Sequence, residues 1–460
     1  MGLITNKNIH VFNHTCIGAS HIKNGIVCQD ASISYSDESC NIIIVSDGHG
    51  SPKYFRSHKG SAYAVEVALT QIKRFVKEYV PKLQIDFVQR STLYDQDNEN
   101  LPLSDQENMV ENVLRRLCSS IVSEWHIKIE NDWGANPPTD EEMANIPEET
   151  KEMFKSGNNM AKAYGATLIA FAQTATYWFA IHLGDGKCIA FSKDGGWTEP
   201  IPWDPKCFLN ITTSLSDEHS EVYFRFCMGG PSSFPEAIFI GSDGIDNSYP
   251  PIERLATFYG LMIRLAAKNG FEAIENDIRD FLPRLSAQGS KDDMSVAYWM
   301  NVDSIYDLAI AIATRTIGKK QAEIESLQNK GNLASEQIQQ IETEKIILIQ
   351  ELESYNQAIN ELSAKVVLAS KEEENRSTKN SPIQNIIHTM KTKIKQISSA
   401  MYTKSEAIEP TLNKIEELET TINSLSNQQV HVREQIDALT KEIVDLKASI
   451  INLKQFKKNR

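Results

Sequence analysis

The chain has 460 residues, of which 47 are Lys or Arg and 61 are Asp or Glu, so its formal net charge is −14. So acidic a chain is not expected to bind nucleic acid or anionic membranes directly, because both need a cationic surface. No apolar run approaches the roughly 18 residues that a membrane span needs. The seven cysteines are scattered and odd in number, which favours a reducing compartment and a cytoplasmic protein.

Short apolar runs in the first 300 residues carry an aspartate at one end. The run 41–46 leads into Asp47-Gly48-His49-Gly50, and the run 237–242 leads into Asp243-Gly244. Each run predicts a buried β-strand followed by a glycine turn. Three further carboxylates lie beside predicted strands in the same way, and these are Asp30, Asp185 and Asp292.

Five such carboxylates in one domain indicate a common site rather than five unrelated turns. Carboxylates brought together repel one another and raise each other's pKa, and a hard divalent cation removes that repulsion. Oxygen ligands without a cluster of Cys or His favour Mg²⁺ or Mn²⁺ over zinc. The pattern therefore predicts a magnesium or manganese site at the strand ends.

The segment from about residue 94 to 159 is longer and more polar than a plain connection. We expect it to contain a helix at about 106–131 between surface loops. Trp125 and Trp133 are expected in the core rather than on a docking surface. His182, on a predicted core strand, is expected to be packed rather than catalytic.

From residue 306 onward the chain holds 21 basic and 21 acidic residues, so the first part carries the whole net charge. Apolar residues keep a and d heptad positions from Ile415 to Leu453, interrupted only by Gln429, which predicts a coiled coil. A weaker run extends from Ile324 to Val366, with Gly331 and Lys345 on its seam.

Two helical arms are therefore expected, at about 318–370 and 383–456, with a turn-like polar stretch at 371–382 between them. An antiparallel hairpin within one chain is favoured. A homodimer, or pairing with the helix of a partner protein, would use the same pattern equally well. No catalytic residues are expected in these arms.

Six short motifs follow one another in the first 300 residues. They are Gln29-Asp30-Ala31, Asp47-Gly48-His49-Gly50, Gly165-Ala166-Thr167, Gly184-Asp185-Gly186, Ser242-Asp243-Gly244 and Asp292-Asp293-Met294-Ser295-Val296. In this order they resemble the motifs of the metal-dependent PP2C-type (PPM) Ser/Thr protein phosphatases. The segment 18–30 is similar to a bacterial branch of that family.

The resemblance covers residues from about 10 to 300 and implies an α+β fold. That fold is an α-β-β-α sandwich of two antiparallel sheets. We accordingly expect a phosphatase domain at 1–305, followed by a coiled-coil region at 306–460.

The resemblance also implies a centre of two Mn²⁺ or Mg²⁺ ions between the sheets. Carried over by motif, Asp47 bridges both ions and the Gly48 carbonyl binds one of them. Asp243 and Asp292 hold the other ion, and Asp30 is a ligand or orients a water molecule. Two such cations activate a shared water and offset the charge on the phosphoryl oxygens.

Two further roles follow from the motifs. Asp185 resembles the residue that helps to bind a third, weaker metal ion, and His49 resembles the histidine that protonates the leaving alkoxide. The implied reaction is hydrolysis of phosphoserine or phosphothreonine on a phosphoprotein substrate, without a covalent phosphoenzyme.

The sequence departs from the family pattern at the phosphate site. The family usually has an arginine five residues before the first-box aspartate, and here that residue is Gly25. His21 and Lys23 are candidates to bind the substrate phosphate, although neither offers a bidentate guanidinium and both could be ordinary loop residues. Asp293 is expected to hydrogen-bond a loop rather than a metal ion.

Two other readings of the sequence stay open at this point. The first is a catalytically weak or inactive phosphatase-like module for binding or scaffolding, which the missing arginine favours. The second makes the helical arms the main effector, regulated by the phosphatase. By resemblance to the bacterial branch, a partner kinase or another protein could bind through the coiled coil.

Overall fold

The structure is a computed structural model that describes residues 8–80, 82–91, 104–157, 159–208, 211–376 and 383–459. Its strands are β1 Ile9–Cys16, β2 Ala31–Ser36, β3 Asn41–Ser46, β4 Val88–Arg90, β5 Leu168–Gln173, β6 Trp178–Leu183, β7 Lys187–Phe191, β8 Trp197–Thr198, β9 Arg225–Gly229, β10 Ala237–Gly241 and β11 Met294–Asn301. Its helices are α1 Ala19–Asn24, α2 Ser57–Tyr79, α3 Asp105–Ala135, α4 Glu148–Lys155, α5 Asp243–Asp246, α6 Ile252–Asn269, α7 Phe271–Gln288, α8 Ile305–Arg376, α9 Ile383–Glu406 and α10 Ile408–Lys458.

The strands form two antiparallel sheets. One has the order β1-β11-β10-β7-β8 and the other has the order β2-β3-β5-β6-β9-β4. Strands β3, β5, β6, β9, β10 and β11 are buried along their whole length, which explains why they are such continuous apolar runs.

Apolar side chains from both sheets form a common core between them. It contains Ile43, Val45, Ile169 and Phe171 from the six-stranded sheet and Ile238, Ile240, Ala297 and Trp299 from the five-stranded sheet. Helices α2 and α3 cover the outer face of the six-stranded sheet, and α6 and α7 cover that of the five-stranded sheet. The predicted α+β sandwich, followed by a long helical region, is confirmed.

Helix α3 is the helix expected at about 106–131, and it is longer at both ends. Its start is fixed by a capping box, in which the Ser104 hydroxyl accepts from the Glu107 N–H and the Glu107 carboxylate accepts from the Ser104 N–H. Trp125 is fully buried and donates to the Gly60 carbonyl at 2.9 Å, as its expected core position requires. His182 is buried on β6, also as expected.

The chain divides into two compact units, and the boundary differs from the expected one at 305/306. One unit runs to Arg315 and takes in the residues from Lys447 onward, whereas the other is Thr316–Leu446. The reason lies in the first turns of α8, where Leu308 and Ala309 are buried in the core outside the five-stranded sheet. Leu453 of α10 is buried in the same core.

Within Thr316–Leu446, α8 and α10 run antiparallel. Three polar contacts fix the register: Lys320 Nζ lies 2.5 Å from Glu442 Oε2, Gln429 Nε2 donates to Ser335 Oγ at 2.6 Å, and Lys345 Nζ lies 2.5 Å from Glu419 Oε1. The contacts are those of a hairpin within one chain. The proposed turn at 371–382 lies partly outside the described residues.

The described a and d positions of both heptad runs are buried or half-buried. Pro410 falls in the first turn of α10, where its missing N–H costs no helical hydrogen bond. None of the described helices combines the length and the apolarity that crossing a bilayer requires.

Candidate metal and phosphate site

One polar pocket of about 730 Å³ collects most of the residues that the motifs predict. Its lining includes the carboxylates Asp47, Asp185, Asp243 and Asp292, together with Gly48 and His49. Asp47 follows β3, Asp243 begins α5 directly after β10, and Asp185 lies in the β6–β7 turn. The pocket therefore lies where strands of both sheets end.

The loop that carries Asp47 is held in place by the motif Gly165-Ala166-Thr167. The Thr167 hydroxyl accepts from the Asp47 N–H at 3.0 Å, and the Thr167 N–H donates to the Asp47 carbonyl at 2.8 Å. The His49 N–H donates to the Gly165 carbonyl at 3.1 Å. Two motifs that are about 120 residues apart in sequence are therefore one structural unit that positions Asp47.

Gly48 is required by the close approach of its surroundings. A Cβ at this position would lie 2.4 Å from the Gln29 carbonyl oxygen and 2.9 Å from that of Ser57. Both are backbone atoms, so no side-chain rotation could relieve the clash. Glycine at position 48 lets the loop that carries Asp47 lie close to the segment that carries Asp30.

Asp30 does not line the pocket but lies buried behind it. Its Oδ2 has no hydrogen-bond partner among the described residues. Burial raises the pKa of Asp30 to about 8, against hydrogen bonding from Ser242, and the negative charges of Asp293 and Asp243 raise it further. A buried carboxylate with a free oxygen beside other carboxylates is a site that a cation would stabilise.

The pocket carboxylates destabilise one another's charged forms. Burial raises the pKa of Asp47 well above its ordinary value, and the charges of Asp30 and Asp243 add to this effect. Burial also raises the pKa of Asp243 to about 6, with the charges of Asp185 and Asp292 acting in the same direction. Asn247 donates to Asp243 Oδ2 at 3.2 Å and orients that carboxylate.

The residues present fit a hard divalent cation by their chemistry. All the donors are oxygens, they repel one another, and one buried oxygen is unpartnered. Among the described residues, no group of three or more His, Cys, Asp or Glu side chains already surrounds a single point as a ligand set. Binding would therefore require the carboxylates to close on the ion.

His49 lies in the same pocket, with its ring 4.7 Å from the ring of Tyr54. Burial lowers the pKa of His49 to about 4, and the charges of Lys162 and Lys53 lower it further, against the opposite effect of Asp217. The imidazole is therefore neutral near pH 7 in the chain alone.

His21 and Lys23, the residues predicted to bind the substrate phosphate, do not line this pocket. Both lie on α1, where His21 is buried with Nδ1 2.9 Å from Asp293 Oδ1 and Lys23 is exposed. The segment from 18 to 25 is held by Asp293, which contacts both the Gly18 N–H and the His21 ring. Asp293 itself has the expected loop-binding role, because it accepts from the Gly18 N–H at 2.6 Å.

The pocket residues that sequence reasoning missed include Lys53, Tyr54, Lys162 and Asp217. Lys53 could have been found, because it is the first cation after the box that carries Asp47. Lys162 had no such signal. It comes from the polar segment before β5 and reaches the pocket through the pairing of Gly48 with Ala166.

Comparison with solved structures finds bacterial phosphatases. A bacterial serine phosphatase is 15% identical, covers 64% of this chain and 98% of its own, and has a TM-score of 0.37. The Ser/Thr phosphatase Stp1 from Staphylococcus aureus is 14% identical and covers 65% of this chain and 97% of its own, with a TM-score of 0.37. RsbX in complex with magnesium is 15% identical, covers 64% and 96%, and has a TM-score of 0.32.

No curated protein sequence matches significantly. The sequence model of the protein phosphatase 2C family matches residues 17–283 and therefore includes five of the six motifs. Since this match spans more than half of the chain, the chain belongs to the protein phosphatase 2C family of metal-dependent protein phosphatases.

Proposed function

We propose that this phosphatase hydrolyses phosphoserine and phosphothreonine on proteins with the help of Mn²⁺ or Mg²⁺ ions held by the pocket carboxylates. The observation that carries the proposal is the electrostatic strain among those carboxylates. Burial and mutual repulsion raise the pKa values of Asp30, Asp47 and Asp243. Divalent cations would remove that strain.

The ligands of two ions would be Asp47, the Gly48 carbonyl, Asp243, Asp292 and Asp30, the last either directly or by orienting a water molecule. Asp185 would contribute to a third, weaker site, and burial raises its pKa too. When bound, the ions supply the positive charge that activates water and offsets negative charge on the phosphoryl group.

His49 is proposed to protonate the leaving alkoxide. Its ring is neutral near pH 7, since burial lowers its pKa to about 4. A substrate phosphate beside the ring is an anion that favours the protonated imidazole, and so it raises that pKa. The proton is then available for the serine or threonine oxygen as the ester bond breaks.

The experiment is phosphate release from phosphothreonine, phosphoserine and phosphotyrosine peptides with Mn²⁺ or Mg²⁺. We expect turnover of the first two peptides, with loss of at least about 10³-fold in Asp47→Asn and Asp243→Asn. Asp280→Asn, on the exposed side of α7, is the matched control and should keep wild-type activity. Turnover that survives both pocket substitutions would contradict the proposal.

The alternative is a weak or inactive phosphatase-like module for binding or scaffolding. The observation that favours it is Gly25 at the position of the usual arginine, with neither His21 nor Lys23 lining the pocket. Tight, metal-dependent binding of a phosphopeptide without its hydrolysis would support this alternative and overturn the enzymatic proposal.

The helical region is proposed to serve in assembly, with a partner kinase or another protein as the binding partner in the cytoplasm. All seven cysteines are free, which supports a reducing compartment. The antiparallel contacts between α8 and α10 support a hairpin within one chain. Sedimentation of the full chain would test this, since a hairpin predicts a monomer and a paired arm predicts a dimer.

A further inference from the structure

We propose that Lys53 binds the phosphoryl group of the substrate and so takes the place of the arginine that this chain lacks at position 25. This inference rests on the phosphatase function proposed above, and it names the residue that holds the substrate anion.

Lys53 lies in a short 3₁₀ turn, Pro52–Tyr54, directly after the box that carries Asp47. It lines the same pocket as Asp47 and Asp243, so its side chain shares a cavity with the candidate metal ligands. The side chain is exposed, and its Nζ lies 4.9 Å from the centroid of the Tyr54 ring. A lysine at this place can reach a group that enters the pocket from solvent.

No carboxylate forms an ion pair with Lys53 among the residues that the structure describes. The other pocket lysine, Lys162, is different, because its Nζ lies 3.0 Å from Asp217 Oδ1. The second oxygen of Asp217 accepts from the Ser214 N–H at 2.8 Å, which holds that carboxylate in place. The charge of Lys162 is thus compensated, whereas that of Lys53 is available to a ligand.

Lys53 and His49 line the same pocket. A phosphate monoester dianion that enters beside His49 would be attracted by the charge of the Lys53 ammonium. A lysine ammonium binds phosphate oxygens as a point charge, without the bidentate geometry of an arginine.

The backbone that carries Lys53 is fixed on both sides, although the side chain is free. The Tyr54 N–H donates to the Ser51 carbonyl at 2.8 Å, and the Arg56 N–H donates to the Ala163 carbonyl at 2.8 Å. The Arg56 guanidinium is itself occupied, since Nε lies 2.8 Å from Glu142 Oε1 and the side chain is buried. Arg56 is therefore engaged elsewhere, and among the described residues that line the pocket Lys53 is the lysine without an ion-pair partner.

The test measures substrate kinetics and phosphate binding on the full chain loaded with Mn²⁺. The kinetics use a phosphothreonine peptide and p-nitrophenyl phosphate, and calorimetry gives the Kd of inorganic phosphate. For Lys53→Met we expect KM for both substrates and the phosphate Kd to rise about tenfold or more. Lys53→Arg should restore most of the affinity. Lys268→Met, an exposed lysine in the last turn of α6, is the matched control.

The possible outcomes separate this inference from the proposed function. Normal turnover with unchanged KM and phosphate Kd in Lys53→Met would overturn the Lys53 assignment alone. A rise in KM for the peptide only would also overturn it, because Lys53 would then contact the peptide rather than the phosphoryl group. Lys53-dependent phosphate binding without turnover in the wild type would support the assignment and overturn the phosphatase function.

Discussion

His21 and Asp293 are in contact, with Nδ1 2.9 Å from Oδ1, although they are 272 residues apart in sequence. The same carboxylate accepts from the Gly18 N–H through Oδ1 and from the Gln29 N–H through Oδ2, at 2.6 Å each. One buried side chain thus holds the segment between β1 and β2 against β11. The same contacts fix the backbone just before β2, where the buried Asp30 lies.

Replacing Asp293 should therefore lower stability, whereas replacing its neighbour Asp292 should not. Asp293→Ala leaves two backbone donors without their acceptor, and we expect a loss of about 2–5 kcal/mol in the free energy of unfolding. Asp292 lines the pocket, so Asp292→Ala should lose metal affinity and keep most of the stability. Urea denaturation of both variants in the presence of a chelator makes the comparison, and equal losses would contradict these separate roles.

Arg56→Lys should lower the stability of the protein, although both residues are positively charged. The guanidinium donates to both carboxylate oxygens of Glu142 at 2.8 Å, and Nη1 also donates to the Tyr164 hydroxyl at 2.9 Å. An ammonium cannot reproduce this fork, so we expect a loss of roughly 2–4 kcal/mol in stability. Chemical denaturation measures it, with the exposed Arg254→Lys as control. A loss below about 0.5 kcal/mol would show that the network does not hold the turn.

Asp246 should make the metal-free protein less stable as pH rises. Burial, with a contribution from the charge of Asp243, raises the pKa of Asp246 to about 8, above the ordinary value of 3.8. A raised pKa in the folded state means that the stabilising contribution is complete below about pH 4 and is lost as pH rises through 8. Asp246→Asn removes the charge, so its stability should fall less between pH 5 and pH 9.

The difference between wild type and Asp246→Asn should reach roughly 4 kcal/mol across that interval. Denaturation in a chelator at several pH values measures it. Since other carboxylates are present in both proteins, the comparison isolates Asp246. Asp280→Asn, exposed on α7, should follow the wild-type curve. Parallel curves for wild type and Asp246→Asn would contradict the raised pKa.

Gly331→Ala should stabilise the helical region. Gly331 lies inside α8, where glycine costs about 0.5–1 kcal/mol relative to alanine. An added Cβ would lie 3.6 Å from Val432 Cγ1, an ordinary van der Waals contact. Gly318→Ala on the same helix meets nothing within 4 Å, so it measures the helix propensity alone. Thermal unfolding followed by circular dichroism compares the two, and a decrease for Gly331→Ala would contradict the described packing.

The features that could be predicted from sequence are those coded locally. The buried strands that end in Asp47 and Asp243 appear as apolar runs before Asp-Gly, and the heptads from Ile415 to Leu453 appear as a period. Edge strands such as β4 and β8 gave no such signal, because they have only three and two residues.

The full lining of the pocket could not be predicted, because it depends on which segments meet in space. His21 is near Asp30 in sequence, but it contacts Asp293 and does not line the pocket. Lys162 is remote in sequence, but the pairing of Gly48 with Ala166 brings its segment to the pocket. Long-range pairing of this kind leaves no local pattern in a single sequence.

The central claim is that the pocket carboxylates hold divalent cations. Calorimetric titration of Mn²⁺ into the chelator-treated full chain tests it most directly. We predict at least two ions bound per chain, with affinity reduced by at least about 100-fold in Asp47→Asn and Asp243→Asn. A wild-type chain that binds no Mn²⁺, or variants that bind it as tightly as the wild type, would contradict the account.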